Sequence, residues 1–87
     1  MPEFVLEVKA SAQKELDALD DATFSRIDRR ILALAETPRP VGCKKLRGYK
    51  DLWRIRVGNY RIVYAIDDKK SRATIIRVAH RRDVYED

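Results

Sequence analysis

From Leu52 to Ile66 apolar and polar residues alternate on either side of Gly58-Asn59, the pattern of two strands joined by a two-residue turn. Glycine in the first central position suits a type II′ turn, which needs a positive φ there. The turn fixes the register: Val57 faces Tyr60, Arg56 faces Arg61, Ile55 faces Ile62, Arg54 faces Val63 and Trp53 faces Tyr64. One face of this hairpin therefore carries Trp53, Ile55, Val57, Tyr60, Ile62 and Tyr64, and the other carries Arg54, Arg56 and Arg61. Like charges directly across a ladder are destabilising. The Arg56–Arg61 pair thus points to something anionic on that face, and the planar, always charged guanidinium suits phosphate oxygens.

The remaining chain is arranged around this hairpin. Residues 3–8, EFVLEV, read as a first strand, expected inside the sheet. Ser11 is an N-cap candidate for a helix of about nine residues in which Ala12, Leu16 and Leu19 share one side. Asp20 or Asp21 ends it and caps a second helix from Ala22 to Glu36, whose stripe is Phe24, Ile27, Ile31, Leu34 and Ala35. Thr37-Pro38 stops that helix, because the residue before proline is pushed out of helical geometry. Arg39 to Lys50 is a basic loop with a short strand expected around Lys44 to Arg47. After a polar connection from Asp67 to Arg72, Ala73 to His80 forms the last strand. Strict alternation from Ile76 and Val78 on the core side then places Arg77, Ala79 and Arg81 on the arginine side, with His80 on the core side. The predicted class is α+β: one domain over residues 1–87, with a small, curved, antiparallel-rich sheet and two N-terminal helices packed on one face. So short a chain has nothing left to cover the other face, which is expected to be an exposed, arginine-lined concavity.

Composition sharpens this picture. The chain has 87 residues and a formal charge of +5, so it has one modest core. Residues 1–38 carry five Lys/Arg against eight Asp/Glu, whereas residues 39–87 carry fourteen against six. Such a basic half favours nucleic acid or another polyanion as partner. No transmembrane run or signal peptide is recognisable, so a cytoplasmic location is expected. Cys43 is the single cysteine and His80 the single histidine, which excludes an internal disulfide and a Cys/His metal cluster. Cys43 reads as a packing residue.

The segments KKLRG at 44–48, WRIRVGNYRIVYAI at 53–66 and IIRVAHRRDVY at 75–85, following a helical pair that ends at Thr37-Pro38-Arg39, resemble the RelE toxin family of the RelE/ParE superfamily. The resemblance covers nearly the whole chain. It implies a RelE-like fold and a ribosome-dependent mRNA endoribonuclease (mRNA interferase) that cuts in the A site without metal or cofactor. It also implies a cognate acidic, RelB-like antitoxin, with the ribosome and mRNA as the other partners and no membrane. By position, the resemblance assigns catalysis to Arg54, Arg56, Arg61, Arg81 and Tyr85, and RNA contacts to Lys44, Lys45, Arg47 and Arg77. The best-known members carry lysines where this chain has Arg54 and Arg56. Arginine keeps its proton, so those positions supply charge here rather than proton transfer.

Cleaving RNA without a metal requires a base for the 2′-hydroxyl, positive charge on the transition state and an acid for the leaving 5′-oxygen. Arg56, Arg61 and Arg81 are the expected electrostatic clamp. Tyr85 is the first candidate for the base, since neighbouring arginines favour its phenolate; stacking on a nucleobase is its other role. His80 is the second candidate for acid or base, and Asp83 reads as an ion-pair partner or cap. Two other functions fit the same residues: a ParE-like DNA gyrase inhibitor, and a non-catalytic nucleic-acid-binding relative.

Overall fold

In the computed structural model, which describes residues 3–83, the hairpin forms the centre of the sheet. Its strands are β3 (Leu52–Val57) and β4 (Tyr60–Asp67). Their register pairs Trp53 with Tyr64, Arg54 with Val63, Ile55 with Ile62, Arg56 with Arg61 and Val57 with Tyr60, as the turn requires. Gly58 has φ +60°, while Asn59 is not among the residues with positive φ, which is the II′ combination. The other strands are β1 (Val5–Val8), β2 (Lys44–Lys45) and β5 (Arg72–His80). Spatial order is β1-β5-β4-β3-β2, with β1 parallel to β5 and every other pairing antiparallel. A 3-10 turn, Arg81–Asp83, follows β5.

The first strand is therefore an edge strand and not an interior one. The two helices that follow β1 carry the chain to β2 at the far edge, and the antiparallel run β2-β3-β4-β5 returns it to lie parallel beside β1. Its outer position leaves Val5 60% exposed.

The helices are α1 (Ala10–Asp17) and α2 (Asp21–Ala33). Lys9, not Ser11, is the N-cap of α1, and it offers no side-chain cap. Ser11 instead lies in the first turn and donates from Oγ to the carbonyl of Ile76 at 3.4 Å. Asp20 caps α2 by accepting the Thr23 N–H at 3.3 Å, which also holds its carboxyl below the usual aspartate range. α2 ends three residues before the expected Glu36 and passes into turns ahead of Pro38. Ala12, Leu16, Ile27, Ile31 and Leu34 pack with Ile55, Val57, Ile62, Tyr64, Ile66, Ile75 and Val78 into one core. Phe24 departs from the expected stripe and is 36% exposed. Among the described residues no helix is long and apolar enough to cross a membrane.

Two expectations about the sheet faces are corrected. Val63 pairs with Arg77 but Tyr64 pairs with Ile75, so Ile76 is an extra residue in β5. This bulge breaks strict alternation. Ile75 is buried in the core in place of Ile76, while Val78 keeps its predicted side. The face away from the helices is also less open than expected: Arg54 is 4% exposed, Arg61 5%, Val63 8% and Ala79 5%. Arg54, Arg61 and Val63 lie on interior strands with a paired strand on each side. Arg56 and Arg77 remain exposed.

Candidate nucleic-acid interface

Register converts the basic half of the sequence into a surface. Lys44 stands opposite Arg54, Arg54 opposite Val63, and Val63 opposite Arg77, so one row across four strands carries three cations. The next row is Arg56, Arg61 and Ala79. With strands about 4.8 Å apart, these five cations lie within roughly 15 Å of one another. Arg54, Arg56 and Arg61 all interact with other groups of the chain, as charges on a partly buried face must. Arg77 lies 3.5 Å through Nε from the Glu15 carboxylate.

The turn end of this face is held from two sides. A Cβ at Gly58 would stand 2.7 Å from Nη2 of Arg26, so α2 lays a guanidinium over the turn. From the other side, Arg81 donates its N–H to the Asn59 carbonyl at 2.7 Å. That bond ties the first residue after β5 to the hairpin tip, one position beyond the Tyr60–His80 pair. His80 pairs with Tyr60 on the opposite face, where the rings meet edge-on with centroids 5.4 Å apart. Its Nδ1 accepts the Arg82 N–H at 3.3 Å. Tyr85 lies outside the described residues, as does the side chain of Asp83.

Consecutive lysines part company in β2. Lys44 joins the arginine row, whereas Lys45 pairs with Trp53 and so points to the helix side. Arg47 is exposed on the loop beyond β2. On the segment leading into β2, Arg39 makes a bidentate pair with Asp68 at 3.2 and 2.9 Å, while its guanidinium sits 4.8 Å from the Trp53 ring centroid. The Arg39 hydrogen bonds hold the Asp68 carboxyl below its ordinary range. Tyr64 closes the same corner by donating to the Pro38 carbonyl at 2.6 Å. Burial raises its phenol pKa, and the partly buried Cys43 thiol beside it adds to the rise. Tyr64 is therefore a neutral structural tyrosine. Arg39 and Glu15 are contributors that sequence reasoning missed. The signal for Arg39 was its place just after the helix stop; Glu15 gave only a polar residue beside the Leu16 core position.

Two shallow clefts lie at the other end of the hairpin, around Asp51, Ile66 and Asp67, where mixed charges and not the arginine row line them. Among the described residues no three His, Cys, Asp or Glu side chains converge to hold a metal.

The sequence matches the family described as ParE toxin of type II toxin-antitoxin system, parDE, over residues 6–85. The mRNA interferase toxin RelE of Escherichia coli is 28% identical over 88 residues, covering 97% of this chain and 92% of that protein. Toxin RelG of Mycobacterium tuberculosis is 38% identical over 52 residues, which is 60% of each chain. The match therefore spans under two-thirds of RelG. Among solved structures, the toxin-antitoxin complex RelBE2 from Mycobacterium tuberculosis contains a chain with TM-score 0.82 and 27% identity, covering 95% of this chain and 97% of that one. A basic face built on this sheet, with a family match over nearly its whole length, makes the chain a member of the RelE/ParE superfamily of type II toxin-antitoxin toxins.

Proposed function

We propose that the chain is a ribosome-dependent mRNA endoribonuclease that stops translation by cutting mRNA in the A site, and that an acidic antitoxin restrains it. The observation that carries this reading is the Arg56–Arg61 pair on interior strands, with Lys44, Arg54 and Arg77 in the adjoining row. Rigid strands hold these charges before RNA arrives, so little reorganisation accompanies the reaction. The ribose 2′-oxygen attacks the adjacent phosphorus as its proton passes to a base. The bond to the 5′-oxygen then breaks, and that oxygen takes up a proton. Arg56, Arg61 and Arg81 stabilise the charge on the non-bridging oxygens, and Arg54 supports them from the next row. Tyr85 is the proposed base, because phenolate forms most readily beside guanidinium groups. His80 faces away from the arginine row, so it serves as acid or base only for RNA reaching round the β5 end.

Lys44 and Arg47 contact the RNA backbone, and Lys45 would do so only from the other side of β2. The relatives' structures include toxin-antitoxin complexes, and a cationic face of this kind suits an acidic segment. The test is a purified translation system with programmed ribosomes, in which 3′ ends are mapped. Cuts at A-site codons, lost when ribosomes are omitted, are expected. Intact mRNA at a protein dose that blocks growth would overturn the reading. Because the family match carries the ParE description, the same preparation is run in a gyrase assay; stabilised DNA breaks there would replace the nuclease with topoisomerase inhibition.

A further inference from the structure

β1 covers only the first four residues of β5, pairing Val5–Val8 with Arg72–Ile75. Beyond Ile75 the outer edge of β5 is covered by α1. Lys9 donates its N–H to the Ile75 carbonyl at 2.9 Å, Ser11 donates its hydroxyl to the Ile76 carbonyl at 3.4 Å, and Glu15 Oε1 accepts the Val78 N–H at 2.7 Å. Ser11 and Glu15 are four residues apart and share one stripe of the helix, beside the buried Ala12 and Leu16. The other Glu15 oxygen reaches Arg77 Nε at 3.5 Å. A single carboxylate thus holds both residues that directly follow the extra residue Ile76.

That is the point where β5 changes parity. A one-residue slip would turn every later strand side chain to the opposite face, exchanging Arg77 and Ala79 with Val78 and His80 and shifting Arg81 off the Asn59 carbonyl that it bonds. We propose that Glu15 is a positioning residue for the cationic face: its carboxylate holds the bulged register of β5 and so sets where Arg77 and Arg81 meet RNA phosphate. The proposal rests on the nuclease reading for its catalytic consequence. Glu15 itself touches no substrate. It accepts an N–H on the stretch of the β5 edge that β1 does not pair, and it tethers the guanidinium next to it.

Three variants separate this role from simple edge cover. Glu15→Gln keeps an acceptor for Val78 and loses the charge toward Arg77. Glu15→Ala loses both, and Glu15→Asp keeps the charge on a shorter arm if the alanine variant does not fold. On programmed ribosomes, Glu15→Ala and Glu15→Asp are expected to lower kcat by on the order of tenfold to a hundredfold, the scale of a small misplacement, with KM little changed. Glu15→Gln is expected to recover most of kcat. Amide exchange at Val78 should accelerate in the first two variants and stay slow in Glu15→Gln. A lower melting temperature with parental kcat, or a Gln variant as slow as Ala, would overturn the proposal. If the parent protein cuts no mRNA, the nuclease reading fails separately. The inference is then read from Val78 exchange and from binding of a short oligoribonucleotide, and a Glu15→Ala protein unchanged in both would sink it.

Discussion

Single residues differ in whether their loss alters chemistry or folding. Arg81 is exposed, so Arg81→Ala should cut mRNA cleavage on the order of a hundredfold, the scale for one electrostatic stabiliser, at an unchanged melting temperature. Arg61 is 5% exposed, so Arg61→Ala should lose comparable activity and also melt lower, because truncation leaves a space among buried neighbours. Parallel cleavage assays and thermal melts distinguish the two; equal melting losses would contradict the burial difference. Gly58 tests the turn and the α2 side chain laid over it. At φ +60°, alanine there costs about 1–2 kcal/mol, and the Arg26 guanidinium must also move away. Gly58→Ala should lower the melting temperature by about 4–8 °C per kcal/mol in a domain of this size. The facing arginines and the glycine were legible in the sequence, because a two-residue turn leaves one register. The burial of Arg54 and Arg61 was not, since it depends on what flanks each strand in space.

At the level of elements, what the sequence revealed depended on how local each determinant is. Both helices, the hairpin and β5 follow from periodicity and turn residues within a few positions of each other. β1 was recognisable as a strand from its apolar run, but its parallel pairing at the sheet edge is set by the path of the chain back to β5, which no local pattern encodes. The bulge in β5 was equally hidden: ATIIRV has apolar residues at both 75 and 76, so either could occupy the core, and the contacts from α1 accompany the one that does. The basic loop is fixed by the Arg39–Asp68 pair, which has a pH signature. Asp68 has a folded pKa below its ordinary 3.8, so its contribution is complete above that value and is lost as pH falls through the lower folded one. Asp68→Asn should therefore melt below the parent near neutral pH, and the two curves should converge as pH falls through the lowered folded value. A difference that persists in acid would show that the carboxylate charge is not what holds the loop.

Across the whole molecule, the basic half of the chain becomes useful only because four strands present it on one side. Net attraction between a +5 protein and RNA would treat every exposed lysine alike. Register does not: Lys44 stands in the row with Arg54, while Lys45, next to it in sequence and also exposed, pairs with Trp53 on the helix side. Each phosphate contact with single-stranded RNA contributes about 0.7 to the slope of log affinity against log salt. Lys44→Ala should therefore flatten that slope by about 0.7 and weaken binding at low salt, and Lys45→Ala should leave both near the parental values. Fluorescence anisotropy with a short oligoribonucleotide over a series of potassium chloride concentrations measures the difference directly. The two variants have the same net charge, so unequal slopes can come only from where the strand points each side chain. Equal slopes would mean that RNA responds to the overall charge of this half of the protein, and the arginine-lined face would lose its claim to be the binding surface.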